Sequence, residues 1–298
     1  MSSSISEVHI VTVGTSVLRN AQGLVSEKCR DEIRRLLSST EGGEAGSLSP
    51  RCREEVKEAL PRNPYSMSAE LNAMKNFLEK NSPREKNSLR RLSIVLYATD
   101  TVPGQVAAGI LKEYLSSVMP NARIMKKTVQ NLGKNFWDGI VHLMREIITD
   151  VKRFKSKHAT IYINATGGFK PETAAAIIAA SLAGAHAVYY IHERMRQPVW
   201  IPLIPLRVDK GILTGYIGQL ELMKREWCGR RPRVLKAPLT SLGGLAAILL
   251  AAGASGAVRL GEERPGEYHV EVDCSQVDYL ISFLETLRDV LADTSSGV

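Results

Sequence analysis

Residues 160–185 read TIYINATGGFKPETAAAIIAASLAGA, and the order of residue types in this stretch decides the fold. Thr160–Asn164 is a short β-branched and aromatic run of the kind that forms a buried strand. It enters a loop with paired glycines, Gly167 and Gly168, and a lysine, Lys170. Pro171 then stands where the first turn of a helix accepts proline without losing a hydrogen bond, and Gly184 stands at the far end of the same helix. A helix start presents unpaired N–H groups and a partial positive charge, which suits a phosphate. The glycines let a backbone approach a ligand closely, and Lys170 adds a full charge. The GxxxxGK[ST] spacing of a P-loop is absent. The competing reading is a plain strand-to-helix turn with a solvated lysine.

Upstream, Val8–Val13 is a β-branched run ending in Gly14, a strand followed by a tight turn. A helix over Ser26–Ser39, a Gly- and Ser-rich surface loop over Gly42–Pro50 and two further helical segments up to about Asn81 follow. Leu92–Ala98 reads as a second buried strand, with a helix behind it through Ser116, and Arg123–Val129 as a more polar third. A long amphipathic helix over Phe136–Phe154 leads into the opening stretch. Beyond it, His186–His192 is a fifth strand, and Val199–Leu206 extends the sheet. Such alternation predicts an α/β fold with a Rossmann-like, mostly parallel, doubly wound sheet.

From Asp209 the pattern changes. A Gly-containing segment, Lys210–Lys224, precedes the basic run KREWCGRRPRVLK at 224–236 and a helix near Leu239–Ala252. A hairpin turning at Arg264–Glu267 and a helix over Gln276–Ala292 complete the chain. The division expected is therefore a sensor domain over 1–208 and a smaller α+β, winged-helix-like domain over 209–298, although many small α+β domains share this pattern.

Composition narrows the function classes. A 44% hydrophobic content builds a substantial core, and 39 Lys+Arg against 31 Asp+Glu leave a formal charge of +8, which favours an anionic partner without distinguishing RNA, DNA or a small polyphosphate. Cys29, Cys52, Cys228 and Cys274 form no CxxC pair, so neither a zinc knuckle nor a disulfide framework is expected, and a reducing, cytoplasmic compartment fits. The stretch MSSSISEVHIV lacks a basic segment followed by a long apolar run, so no signal peptide is expected there. Two apolar stretches, Ala174–Ile191 and Leu242–Val258, are interrupted by glycines and polar residues before reaching the ~20 apolar residues of a membrane span. His9, His142, His186 and His192 lack metal-ligand spacing and are assigned to core edges or surface, so no metal and no cofactor is expected.

Ligands of open α/β sheets collect beyond the carboxyl ends of strands. Two loops there carry the candidate contacts: Gly14, Thr15, Ser16, Arg19 and Asn20 in GTSVLRN, and Asn164, Thr166, Gly167, Gly168, Phe169 and Lys170 in NATGGFKPE. Hydroxyls and amides of this kind bond phosphate oxygens or ribose hydroxyls. Thr15 or Ser16 as a helix cap is the competing reading. Lesser candidates are Thr99, Asp100, Thr101 and Gln105 after the second strand, and Gln130 and Asn131 after the third.

VTVGTSVLRN together with YINATGGFKPE resembles the CRISPR-associated Rossmann fold (CARF) family, and the arrangement over residues 5–206 is similar to its archaeal branch with a C-terminal winged-helix domain, which includes the ring nucleases. The resemblance implies a homodimer that binds a cyclic oligoadenylate across its axis and cuts cyclic tetra-adenylate, switching off type III CRISPR signalling. It places Ser16 and Lys170 on the positions associated with cleavage, and Thr15, Gly167, Gly168 and Phe169 on those that cradle the ring. The chemistry makes physical sense: a 2′-hydroxyl held in line attacks the neighbouring phosphorus, so positioning and charge stabilisation suffice without a metal. A four-nucleotide ring shares the two-fold symmetry of an isologous dimer, giving two scissile positions.

Two rivals stand beside this reading. One is a ribonuclease effector with an Arg-to-His spacing typical of a HEPN domain, for which Arg153 and His158 match by number but sit inside the Rossmann pattern. The other is a ligand-responsive transcription regulator using the basic run around Trp227, Arg230, Arg231 and Arg233. Against DNA binding, the helix LTSLGGLAAILLAA carries no basic or amide residue. The second domain is instead expected to serve dimer contacts or to cover the ligand.

Overall fold

The computed structural model describes residues 7–38, 47–80, 92–168, 170–191, 197–204, 206, 209–225, 235–236, 258–264, 267–272 and 274–292. The chain divides into two compact units, Met1–Leu206 and Arg207–Val298.

In the first unit the strands are β1 (Glu7–Val13), β2 (Leu92–Thr99), β3 (Arg123–Val129), β4 (Thr160–Asn164), β5 (Ala187–Ile191) and β6 (Pro198–Pro202). They form one sheet in the order β3-β2-β1-β4-β5-β6. β1 to β5 are parallel, with Val11 beside both Leu96 of β2 and Asn164 of β4. β6 runs antiparallel on the outer edge, with Trp200 opposite Tyr189, so the sixth strand extends the sheet in the reverse direction. The central strands β1 and β2 are buried along almost their whole length, as expected of strands covered on both faces, whereas edge strand β3 is exposed or half-buried up to its last residue.

Between β1 and β2 lie α1 (Ser16–Ala21), α2 (Glu27–Ser38), α3 (Pro50–Ala59), a 3₁₀ turn at Leu60–Arg62, α4 (Pro64–Met67), α5 (Ala69–Ala73) and α6 (Lys75–Lys80). The two helical segments expected there are thus several short ones, because Pro61 and Pro64 break the run. The GTSVLRN stretch expected as a loop is also mostly helix, since α1 starts at Ser16. α7 (Val102–Val118) joins β2 to β3, α8 (Phe136–Lys155) joins β3 to β4, and α9 (Lys170–Ala183) joins β4 to β5. Ile94, Leu96 and Ala98 of β2 share a core with Ile33, Val56 and Leu111 of α2, α3 and α7. Tyr97 faces the other way and donates its hydroxyl proton to Asp150 of α8 at 2.5 Å. Burial and the Asp150 carboxylate hold that phenol well above its ordinary pKa.

Cys29 of α2 and Cys52 of α3 form a disulfide, and Cys274 is disulfide-bonded as well. This corrects the expectation of no disulfides. Spacing in the sequence was a poor guide because the two antiparallel helices bring Cα atoms 23 residues apart to within 4.9 Å. His9, expected at a core edge, is fully buried, with Nδ1 2.7 Å from the Tyr189 hydroxyl and Nε2 3.1 Å from Glu7 Oε1. Burial lowers its pKa more than the Glu7 carboxylate raises it.

The second unit contains α10 (Lys210–Met223), a helix over the Gly-containing segment, β7 (Leu235–Lys236), β8 (Val258–Arg264), β9 (Glu267–Val272) and α11 (Cys274–Ala292). β8 and β9 pair as the expected hairpin, and the sheet order is β7-β9-β8. The helix expected near Leu239–Ala252, and Trp227, Arg230, Arg231 and Arg233, lie outside the described residues. Among the described residues no helix is long and apolar enough to cross a membrane.

Candidate functional site

The chain runs from β1 outward through β2 to β3, then returns to β4 beside β1 and runs the opposite way to β5 and β6. The switch in direction therefore falls between β1 and β4, the place where open α/β sheets bind ligands. From this gap emerge the loops 14–15 and 165–168. They touch: a Cβ on Gly14 would lie 3.1 Å from the Gly168 nitrogen and 3.6 Å from Gly167 Cα. Thr12, buried under the contact, donates its hydroxyl proton to the Gly167 carbonyl at 2.6 Å. A Cβ on Gly167 would run into the Thr12 carbonyl, the Gly14 nitrogen and Glu70 Oε1. Gly167 is thus required by the packing of one loop on the other, a reason for glycine that differs from close approach to a ligand. Gly168 is exposed and has φ 96°, in the left-handed region.

The sequence reading missed Glu70. This residue is 1% exposed, in the first turn of α5, and its carboxylate accepts the Gly14 N–H at 2.8 Å, the Ser16 hydroxyl at 2.8 Å and the Ser68 hydroxyl at 2.6 Å. Ser68 also caps α5 through the Leu71 N–H. Locally, an acid two residues after a capping serine reads as an ordinary first-turn residue. Only the tertiary fold carries it beneath the β1 loop. Asn164 completes the tie by donating to the Glu70 carbonyl at 3.0 Å and accepting the Thr166 N–H at 3.2 Å. Asn164 is wholly buried, so it shapes the rim from below and presents nothing to a ligand.

The other candidates sort by what already engages them. Thr15 caps α1 through its carbonyl, which accepts the Leu18 and Arg19 N–H groups, while its side chain makes no cap bond. Arg19 is exposed. Asn20 donates to the Ser66 and Met67 carbonyls at 3.1 and 3.2 Å, fixing the turn that delivers Ser68 and Glu70. Thr166 is half-buried and its hydroxyl accepts the Ile191 N–H. Lys170 is the first residue of α9, and its side chain, like the whole of Phe169, lies outside the described residues. Glu172, 7% exposed, reaches back so that its Oε2 would lie 2.7 Å from a Cβ on Gly168. The positive end of α9 therefore already faces one carboxylate.

At the same rim, Thr99 and Thr101 share a hydrogen bond of 2.7 Å. Gln105 donates to the Thr99 carbonyl and accepts from Lys126 and Thr128 at 2.9 and 3.1 Å, so its amide laces β2 to β3 and is not open to a ligand. Asp100 accepts the Asn131 N–H at 3.0 Å and pairs with Lys134 at 3.0 Å. Asn131 has φ 62°, and Gln130 is exposed, its carbonyl 2.9 Å from His142 Nδ1.

Arg153 and His158 are placed by the end of α8. Arg153 pairs with Asp150 at 2.9 Å, and His158, with φ 57°, terminates the helix before β4. That is the rim opposite the two loops, so neither residue belongs to the site those loops form. Among the described residues no three His, Cys, Asp or Glu side chains gather as a metal-donor set.

Residues 65–204 match the family model described as CRISPR-associated protein (Cas_APE2256). The match contains Glu70, the whole β4 loop and the start of α9, and begins downstream of the GTS loop. Among solved structures the chain is similar to Can2 from Sulfobacillus thermosulfidooxidans in complex with cyclic tetra-adenylate, at 11% identity and a TM-score of 0.31 over 94% of this chain; it spans 58% of the length of that protein. It is also similar to the Drosophila ORC bound to AT-rich DNA and Cdc6, at 11% identity and a TM-score of 0.14, over 93% of this chain and 86% of that one. At these scores neither likeness bears on what this chain binds. The family match therefore makes residues 65–204 of this chain similar to a CRISPR-associated protein family, on a sheet of the mostly parallel order described above.

Proposed function

We propose that this protein is a ring nuclease, which binds cyclic tetra-adenylate and cuts it to linear diadenylate ending in a 2′,3′-cyclic phosphate, thereby ending type III CRISPR signalling. The observation that carries the reading is the contact between the Gly14 and Gly167–Gly168 loops at the switch point of the sheet. It sets Ser16 and the start of α9, with Lys170, at one rim. A homodimer that shares the two-fold symmetry of the ring would supply two such rims.

Cleavage needs no outside nucleophile. The O2′–P bond forms as the P–O5′ bond breaks, the 2′-hydroxyl proton leaves to solvent, and the departing 5′-oxygen takes one up. Lys170 stabilises charge on the phosphate and Ser16 holds the reacting ribose, so catalysis is positioning plus electrostatics. Because Glu172 already answers the field at the start of α9, the lysine carries more of the phosphate attraction than the helix end does.

The test is incubation of purified protein with labelled cyclic tetra-adenylate in EDTA, comparing wild type with Lys170→Ala and Ser16→Ala. Conversion to diadenylate by the wild type, lost in Lys170→Ala, supports the reading. Tight binding without turnover makes the protein a sensor or regulator. Ring-stimulated degradation of unrelated linear RNA makes it an effector.

A further inference from the structure

Ser16 stands at the amino end of α1 with its hydroxyl engaged twice. It donates its one proton to Glu70 Oε2 at 2.8 Å and accepts the Ala69 N–H at 3.1 Å. A hydroxyl has one proton and two lone pairs, so one acceptor site remains. Ser16 is half-buried, which leaves that site within reach of a ligand. Turning the proton outward would deprive a carboxylate that is 1% exposed of a donor, a change the buried group resists. Glu70 itself cannot drift, because Gly14 and Ser68 hold it from either side and its carbonyl accepts from Asn164.

We propose that Glu70 is a positioning residue that makes Ser16 a hydrogen-bond acceptor, so that this half of the rim reads a ribose 2′-hydroxyl and turns phosphate oxygens away. A phosphate oxygen at Ser16 would meet a lone pair with a carboxylate behind it. A 2′-hydroxyl meets the same lone pair with a proton to give. Phosphate is then left to the opposite half of the rim, at Lys170. This division of labour separates ribose rings from deoxyribose rings, and it aligns the very oxygen that attacks. The inference rests on the proposed function and deepens it.

The experiment measures equilibrium binding, in EDTA, of two uncleaved rings. One is cyclic tetra-adenylate with 2′-fluoro groups, which keep a ribose-like pucker but donate nothing. The other carries 2′-amino groups, which still donate. Wild type should bind the 2′-amino ring more tightly by about tenfold for each rim engaged, the ratio that one hydrogen bond commands, and so by about a hundredfold where a dimer grips the ring with two. In Ser16→Ala and in Glu70→Gln, whose amide turns the serine proton outward, the ratio should shrink to about threefold or less. Gly23→Ala, where nothing lies within 4 Å of the added Cβ, should retain it. If Glu70→Gln weakens both rings equally and preserves the ratio, Glu70 is only structural and the proposal is overturned. Equal binding of both rings by the wild type overturns it too, leaving the ring nuclease reading intact. Binding of neither modified ring nor of unmodified cyclic tetra-adenylate defeats that reading and this one with it.

Discussion

Replacing Gly167 by alanine perturbs the contact on which the site is built. The added methyl would meet backbone atoms, the Thr12 carbonyl and the Gly14 nitrogen, and not merely the end of a flexible side chain. Relief requires the loops to separate. Separation stretches the 2.6 Å bond from Thr12 to the Gly167 carbonyl and disturbs the 2.8 Å bond from Gly14 to Glu70. Overpacking costs about 1–3 kcal/mol, and each weakened buried hydrogen bond about 1 kcal/mol. The sum is a loss of about 3–5 kcal/mol for the first unit. Gly23→Ala is the control, because nothing lies within 4 Å of the Cβ it would add. Urea denaturation followed by tryptophan fluorescence reads the difference, with Trp200 stacked on Tyr189 at 4.5 Å as a reporter in the first unit. If Gly167→Ala unfolds within about 0.5 kcal/mol of both wild type and the control, the two loops are not in contact and the reasoning fails.

Three further outcomes follow from the same structure. Mutation of both Cys29 and Cys52 to alanine removes a crosslink between residues 23 apart and should lower the unfolding free energy by about 3 kcal/mol, read by urea denaturation; an equally stable double variant, or thiols titrating freely in the denatured, unreduced wild type, would contradict the disulfide. His9 has its pKa lowered by burial, so the unfolded chain takes up this proton first as pH falls; the stability is present in full above the unfolded value of 6.5 and declines as pH drops through it toward the folded value. A stability profile between pH 7 and pH 5 should lose part of its slope in His9→Asn, and an unchanged slope counts against the assignment. Tyr97→Phe takes one donor from Asp150 but leaves Lys127 and Arg153 at 2.8 and 2.9 Å, so it should cost only about 1–2 kcal/mol; a loss as large as that of a severed buried ion pair would show that the cations do not compensate.

Much of the first unit is readable from periodicity alone. β3 and β4 fall on the residues expected, and α8 and α9 within a residue of their expected ends, because a buried strand and an amphipathic helix have different periods. The reversed direction of β6 was not readable, since Pro198–Pro202 has the same apolar character whichever way it pairs. At the site, the glycines and hydroxyls are visible as a motif, but the reason for Gly167 is a loop distant in the sequence. Glu70 lies 54 residues from Ser16 in the chain and announces itself only through three hydrogen bonds made on folding. Asn164 and Gln105 look like ligand contacts in a sequence because amides at strand ends often are. Here the fold uses their amides to bind strand to strand and strand to helix.

The central claim, one anion-binding rim made from both loops, is tested most directly by photo-crosslinking. An azido-adenine form of cyclic tetra-adenylate is irradiated on the native protein, and the adducts are located by peptide mass spectrometry. The account predicts adducts in the peptides containing Gly14–Asn20 and Asn164–Lys170, both displaced by excess unlabelled ring. Adducts confined to residues 207–298, or to the opposite rim around Arg153 and His158, would contradict it.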